Sequence, residues 1–96
     1  MNVKTHNGRL QIDTSLTWRI LDGDAVIVSP QTGKIRVLNQ VGAFIWQRIV
    51  NGCTLADILD ALVDHFGVSP QQAQRDLTLF IDDLMQRKLV FWESAS

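Results

Sequence analysis

Ninety-six residues, 46% hydrophobic and 20% charged, describe one ordinary globular domain with room for a core but little for a deep active site. No apolar run approaches the roughly 20 residues that span a bilayer, residues 1–8 lack the apolar stretch of a signal peptide, and a single cysteine, Cys53, excludes an internal disulfide or a thiolate cluster. The net charge of −1 is unevenly spread: residues 1–38 hold five cations and three anions, residues 39–96 four cations and seven anions, so the second half is a poor match for phosphate backbones. The expected location is the cytoplasm, with no membrane and no nucleic-acid partner.

Residues 1–15 read as a flexible N-terminal segment, within which Arg9-Leu10-Gln11-Ile12-Asp13 alternates like a short edge strand. The folded domain is expected over residues 16–92. Leu16, Trp18 and Ile20 share one face of a first main strand. Asp22-Gly23-Asp24 is turn chemistry, because glycine adopts positive φ at little cost. Ala25-Val26-Ile27-Val28-Ser29 is a β-branched run suited to a central strand. Pro30-Gln31-Thr32-Gly33 makes a second turn, and Lys34 to Leu38 returns as the third strand. Two short turns in succession make an antiparallel meander, with the third strand at or near an edge.

Asn39 stands where one residue ends that strand and caps a helix over Gln40 to Val50, with Val41, Phe44, Ile45 and Ile49 at helical spacing. Asn51-Gly52 ends it. Thr54 caps the second helix, Asp57 suits the positive end of its dipole, and Leu55, Ile58, Leu59, Leu62, Val63 and Phe66 form its apolar stripe up to Gly67. Ser69-Pro70-Gln71-Gln72 has the pattern of a capping box with proline at the first helical position. The third helix is expected from Pro70 to Arg87, with Ala73, Leu77, Phe80, Ile81 and Leu84 inward. Leu89-Val90-Phe91-Trp92 is a short apolar tail, able to pair with the sheet or to cover the core. The fold class is therefore α+β and winged-helix-like: a three-stranded antiparallel meander followed by a three-helix bundle.

Catalytic candidates are few. His6 falls in the tail, and His65 near the end of the second helix has no second histidine or cysteine at ligand spacing. Cys53 sits in a turn without an evident base, and adjacent Asp82 and Asp83 point about 100° apart on a helix. Phosphate-binding, dinucleotide, zinc-protease and serine-hydrolase motifs are missing from the sequence. The expectation is a protein that is not an enzyme, with no metal and no cofactor.

Three binding readings stay open on the residues alone. A winged helix could bind DNA through Thr54 to Arg87, but Arg75, Arg87 and Lys88 are offset there by Asp76, Asp82 and Asp83. The edge strand Lys34 to Leu38 could accept an extended peptide as a further strand, or be a protected edge guarded by Lys34 and Arg36. Leu79, Trp92 or the edge could serve self-association, which leaves a homodimer open.

The run Ala25-Val26-Ile27-Val28, the Gly33 turn and Leu38-Asn39-Gln40-Val41-Gly42 leading into Ile45-Trp46 resemble the PqqD-like family of peptide-recognition elements. Gly52-Cys53-Thr54-Leu55-Ala56-Asp57-Ile58 matches that family's helix start; Asp76-Leu77, Phe80, Leu84 and Lys88-Leu89-Val90 match its third helix and exit. The resemblance implies a peptide chaperone without catalysis, which binds the leader of a ribosomally made precursor and presents it to a maturation enzyme. That enzyme would be a radical SAM enzyme or a leader peptidase/cyclase. It also implies where the leader lies: as a strand against Lys34, Ile35, Arg36, Val37 and Leu38, in a groove beside the third helix. On a helical wheel centred on Leu77, Asp76, Phe80 and Asp83 share one flank, and Leu79 lies away from the core. These four complete the expected site. The family often has an aromatic residue where this chain has Arg36, which instead suits an acidic residue in the leader.

Overall fold

The two turns lay out a sheet whose register follows from their chemistry. The computed structural model describes residues 8–92. It contains β1 (Leu10–Ile12), β2 (Thr17–Leu21), β3 (Asp24–Ser29), β4 (Lys34–Leu38), α1 (Gln40–Val50), α2 (Leu55–Phe66), α3 (Pro70–Gln86) and β5 (Val90–Trp92). Asp22 and Gly23 have φ of 54° and 86°, the paired positive values of the tight turn whose twist matches a hairpin, and they set Leu21 opposite Asp24. Ser29 O accepts from the N–H groups of both Thr32 and Gly33, closing the second turn so that Ser29 faces Lys34. The strand order is β2-β3-β4, all antiparallel.

Alternation along these strands separates two faces. Ala25 and Ile27 of β3 are buried, with Trp18, Ile20 and Leu38 beside them, against the helices. Trp46 of α1 is fully buried behind the sheet and meets Trp18 edge to face at 6.3 Å. Leu55, Ile58 and Leu62 of α2 and Leu77, Ile81 and Leu84 of α3 complete the core. The architecture is the expected α+β, winged-helix-like one, with a three-stranded antiparallel sheet and three helices.

The caps explain the helix starts. Asn39 Oδ1 accepts from Gly42 N at 3.0 Å, so one residue ends β4 and begins α1. Thr54 and Asp57 make a reciprocal box: Asp57 N donates to Thr54 Oγ1 at 3.1 Å, and Thr54 N donates to Asp57 Oδ2 at 3.4 Å. At Ser69 half of the expected box forms. Gln72 N donates to Ser69 Oγ, but the Gln72 side chain turns forward and donates to both oxygens of Asp76 at 3.0 Å. The box would need the Gln72 amide oxygen to accept from Ser69 N–H; the side chain instead donates its N–H groups to a carboxylate one helical turn ahead, a charge-assisted pairing.

Segment 1–15 is described from Gly8 onward. Residues 1–7, with His6, lie outside the described residues. From Gly8 onward the chain is stitched to the domain. Gly8 O accepts from Leu55 N, Arg9 Nε donates to Gly52 O at 2.8 Å, and buried Leu10 opens β1. Strand β1 pairs with β5 as a separate antiparallel ribbon, Leu10 opposite Trp92 and Ile12 opposite Val90. The apolar tail thus finds a partner in β1 rather than in the main sheet, and burial of Leu10, Leu89 and Val90 favours that closure.

Candidate functional site

Strand β4 pairs with β3 on one side only, so alternate residues of Lys34–Leu38 aim their N–H and C=O groups away from the sheet. Beside this edge runs a groove of about 220 Å³, lined by Ile35, Arg36, Val37 and Leu38 of β4, by Asp83 and Leu84 of α3, and by Arg87 and Leu89. Buried Leu84 and Leu89 give the groove an apolar floor. Its far wall is polar: Arg87 Nε lies 3.0 Å from both oxygens of Asp83, one turn apart on α3. Both side chains are substantially exposed, so this pair adds little to stability and stays available to a ligand.

The edge strand presents two characters. Ile35 and Val37 point outward and are 66% and 64% exposed, opposite Val28 and Val26 of β3. Arg36 and Leu38 face the helix side, opposite Ile27 and Ala25, and are partly buried. A strand added here would meet hydrogen-bonding groups along its backbone, an apolar surface on one face, and Arg36 with the α3 flank on the other.

One end of the groove is fixed by a close approach. A Cβ placed on Gly42 would stand 3.0 Å from Leu38 Cβ and 3.1 Å from Phe80 Cε1. Glycine at the third position of α1 is therefore what lets the end of β4, the start of α1 and Phe80 of α3 meet. Phe80 is partly buried there against the core.

Among the residues expected at the site, the structure brings Lys34 to Leu38 into one strand, sets Asp83 across from it in the groove, and puts Phe80 beside Gly42 where β4 ends. Asp76 and Leu79 are not among the groove's lining residues. Asp76 is held by Gln72, and Leu79 is 64% exposed. Arg87, Leu84 and Leu89 join the lining without having been expected. The signal for them was present: one further turn of the helix beyond Asp83 reaches Arg87, and the exit after Lys88 returns the chain to the sheet. Among the described residues, no group of three His, Cys, Asp or Glu side chains is arranged to hold a metal ion, and no helix is long and apolar enough to cross a membrane.

Of the two edge strands of the antiparallel sheet, β4 is the one that borders the α3 groove, a geometry that suits the addition of an extended segment. The chain belongs to the PqqD family: the family described as coenzyme PQQ synthesis protein D matches residues 24–90. Among solved structures it is similar to TbiB1 in complex with the TbiA(beta) leader peptide. The identity is 28%, over 83% of this chain and 93% of that one, with a TM-score of 0.79. It is also similar in fold to lasso peptide synthetase B1 complexed with the leader peptide, at 22% identity over 86% and 98% of the two chains, with the same TM-score of 0.79. Among curated proteins none matches.

Proposed function

We propose that this protein binds the leader segment of a ribosomally synthesised precursor peptide by strand addition to β4, and presents it to a modifying enzyme without catalysing a step itself. The observation that carries this is the open edge of β4 beside the α3 groove, in a chain 28% identical to TbiB1, whose structure holds a leader peptide. Backbone pairing supplies affinity that depends little on side chains, and the flanking residues supply selection. The contacts we assign are Lys34, Ile35, Arg36, Val37, Leu38 and Asp83 along the groove, with Phe80 at its end. Asp76 and Leu79, exposed on α3, are assigned to the stretch where the peptide or its enzyme extends past the groove. The enzyme partner is of the radical SAM or leader peptidase/cyclase kind, and the complex works in the cytoplasm.

The test is a titration with the precursor peptide encoded beside this gene, followed through backbone amide resonances. Shifts are expected along Lys34–Leu38 and at Asp83 and Arg87. No shift in β4 at high micromolar peptide would sink the mechanism.

A further inference from the structure

Past the Arg87 end of the groove, the same wall opens into a second cavity of about 280 Å³. It is lined by the β3–β4 turn, the start of β4, the exit of α3 and the Asp13–Leu16 loop. It shares Arg36, Arg87 and Leu89 with the groove, so the two form one continuous track. Four cations face it: Lys34, Arg36, Arg87 and Lys88. Arg87 is engaged by Asp83, and this is the only ion pair among the described residues, so Lys34, Arg36 and Lys88 have no such partner there. The one carboxylate in the lining, Asp13, is turned to its own loop: its Oδ1 accepts from Ser15 N and Ser15 Oγ, both at 2.9 Å. The cavity therefore keeps an excess of positive charge in a chain whose net charge is −1.

Cations near a helix C-terminus favour the dipole, which accounts for Arg87 and Lys88 but not for Lys34 and Arg36 on the strand. The conformation of Lys88 is a second, independent mark. Its φ is +60°, the left-handed geometry at a helix exit that glycine ordinarily fills. Lys88 N donates to Met85 O and Leu89 N donates to Leu84 O, the bonds of that exit motif. A lysine thus stands where glycine would be less strained, and it lines the cationic cavity. The negative end of the α3 dipole opposes an anion here, but the carbonyls of Asp83, Leu84 and Met85 are already taken by the N–H groups of Arg87, Leu89 and Lys88.

We infer that the cavity formed by Lys34, Arg36 and Lys88 is a carboxylate subsite, which selects leader peptides carrying an Asp or Glu at the position lying beside the start of β4. This rests on the strand-addition reading and adds a specificity determinant to it. Arg36 is the positioned donor, since it is partly buried and faces the groove; Lys34 and Lys88 supply charge.

The experiment uses the full chain and the precursor peptide encoded beside this gene, made with an amidated C-terminus so that its only carboxylates are side chains. Each Asp and Glu of the peptide is replaced in turn by Asn or Gln. One replacement is expected to weaken binding about tenfold and to have no further effect on the K34Q/R36Q protein. Lys88→Gly is expected to weaken the unmodified peptide while leaving the thermal midpoint unchanged or higher, an opposition that a merely structural lysine would not give. If the peptide shifts β4 amides and every acidic replacement changes affinity less than twofold, the carboxylate subsite is wrong and strand addition stands. If no β4 amide shifts, both fail. Retention of the protein on duplex DNA at low salt, lost in K34Q/R36Q, would reassign the cations to phosphate and overturn the subsite.

Discussion

Gly42→Ala tests whether the groove's end is as tightly built as the geometry requires. In a helix, alanine is favoured over glycine by about 1 kcal/mol, so propensity alone makes the variant more stable. Against this stand the contacts of the new methyl: 3.0 Å to Leu38 Cβ, and 3.1 and 3.3 Å to the Phe80 ring. Ordinary carbon contacts lie near 3.5–4.0 Å, so the neighbours must retreat by roughly half an ångström. Leu38 Cβ is bonded directly to the β4 backbone, and it retreats only if the strand moves. Overpacking of this kind costs about 1–3 kcal/mol, and the net expectation is a loss of about 1 kcal/mol. For a domain of this size that lowers the thermal midpoint by about 4–8 °C. Urea unfolding followed by tryptophan fluorescence reads it directly, because Trp46 is fully buried. Phe80→Leu removes the ring behind two of the three contacts, so the double variant should show a coupling of about 1 kcal/mol. A Gly42→Ala protein more stable than the parent by the propensity increment would refute the close approach.

Four further outcomes follow from the same structure. Leu77→Ala empties a fully buried position and should cost about 2–5 kcal/mol, whereas Leu79→Ser, at an exposed one, should stay within about 0.5 kcal/mol in chemical denaturation. Thr54→Ala breaks a reciprocal capping box and should cost about 1 kcal/mol, seen as a lower thermal midpoint. The Ser15 N–H, and after it the Ser15 hydroxyl, hold the Asp13 carboxyl below its usual range against a smaller opposing effect of burial. A depressed carboxyl stabilises the fold above its unfolded-state pKa and loses that contribution as pH falls through the folded value, so Ser15→Ala, which removes the hydroxyl and keeps the N–H, should flatten the acid limb of the midpoint-against-pH curve only in part, and Asp13→Asn should flatten it further. Inserting one residue into the leader between the β4-contacting positions swaps its two faces and should abolish tight binding by calorimetry, while inserting two residues restores the alternation and should recover part of it.

What the sequence made legible was chemistry confined to a few neighbouring residues. Asn39 announces the strand-to-helix junction because its side chain needs only the amide three residues on, and Asp22-Gly23 announces the hairpin because few other pairs adopt two positive φ values. The β1–β5 ribbon was only partly legible. Three-residue strands offer too little alternation, and the pairing joins opposite ends of the chain. The Ser69 box misled because the Gln72 amide has two partners within reach, the Ser69 N–H behind it and the Asp76 carboxylate ahead, and local pattern does not rank them. A helical wheel gives direction without height. It placed Asp76 and Asp83 on one flank, yet the groove runs beside the last turns of α3, taking Asp83 and Arg87 and passing Asp76 by.

The alternation of β4 separates two requirements on any added strand. Its outward positions would meet Ile35 and Val37, whose cross-strand partners Val28 and Val26 make that face apolar; pairs of this kind contribute about 0.2–1 kcal/mol each and reward any β-branched or aromatic residue. Its inward positions would meet Arg36, where a carboxylate is rewarded and an apolar side chain would cover a charge. On the proposed strand addition, the edge and the outer face would set how tightly an extended peptide is held, and the inner face would set which peptide. Because the two alternate along the same five residues, selection would depend on register as much as on composition. A peptide of the right composition in the wrong phase would set its apolar side chains against Arg36 and its carboxylates against Ile35 and Val37, and would be rejected on both faces together.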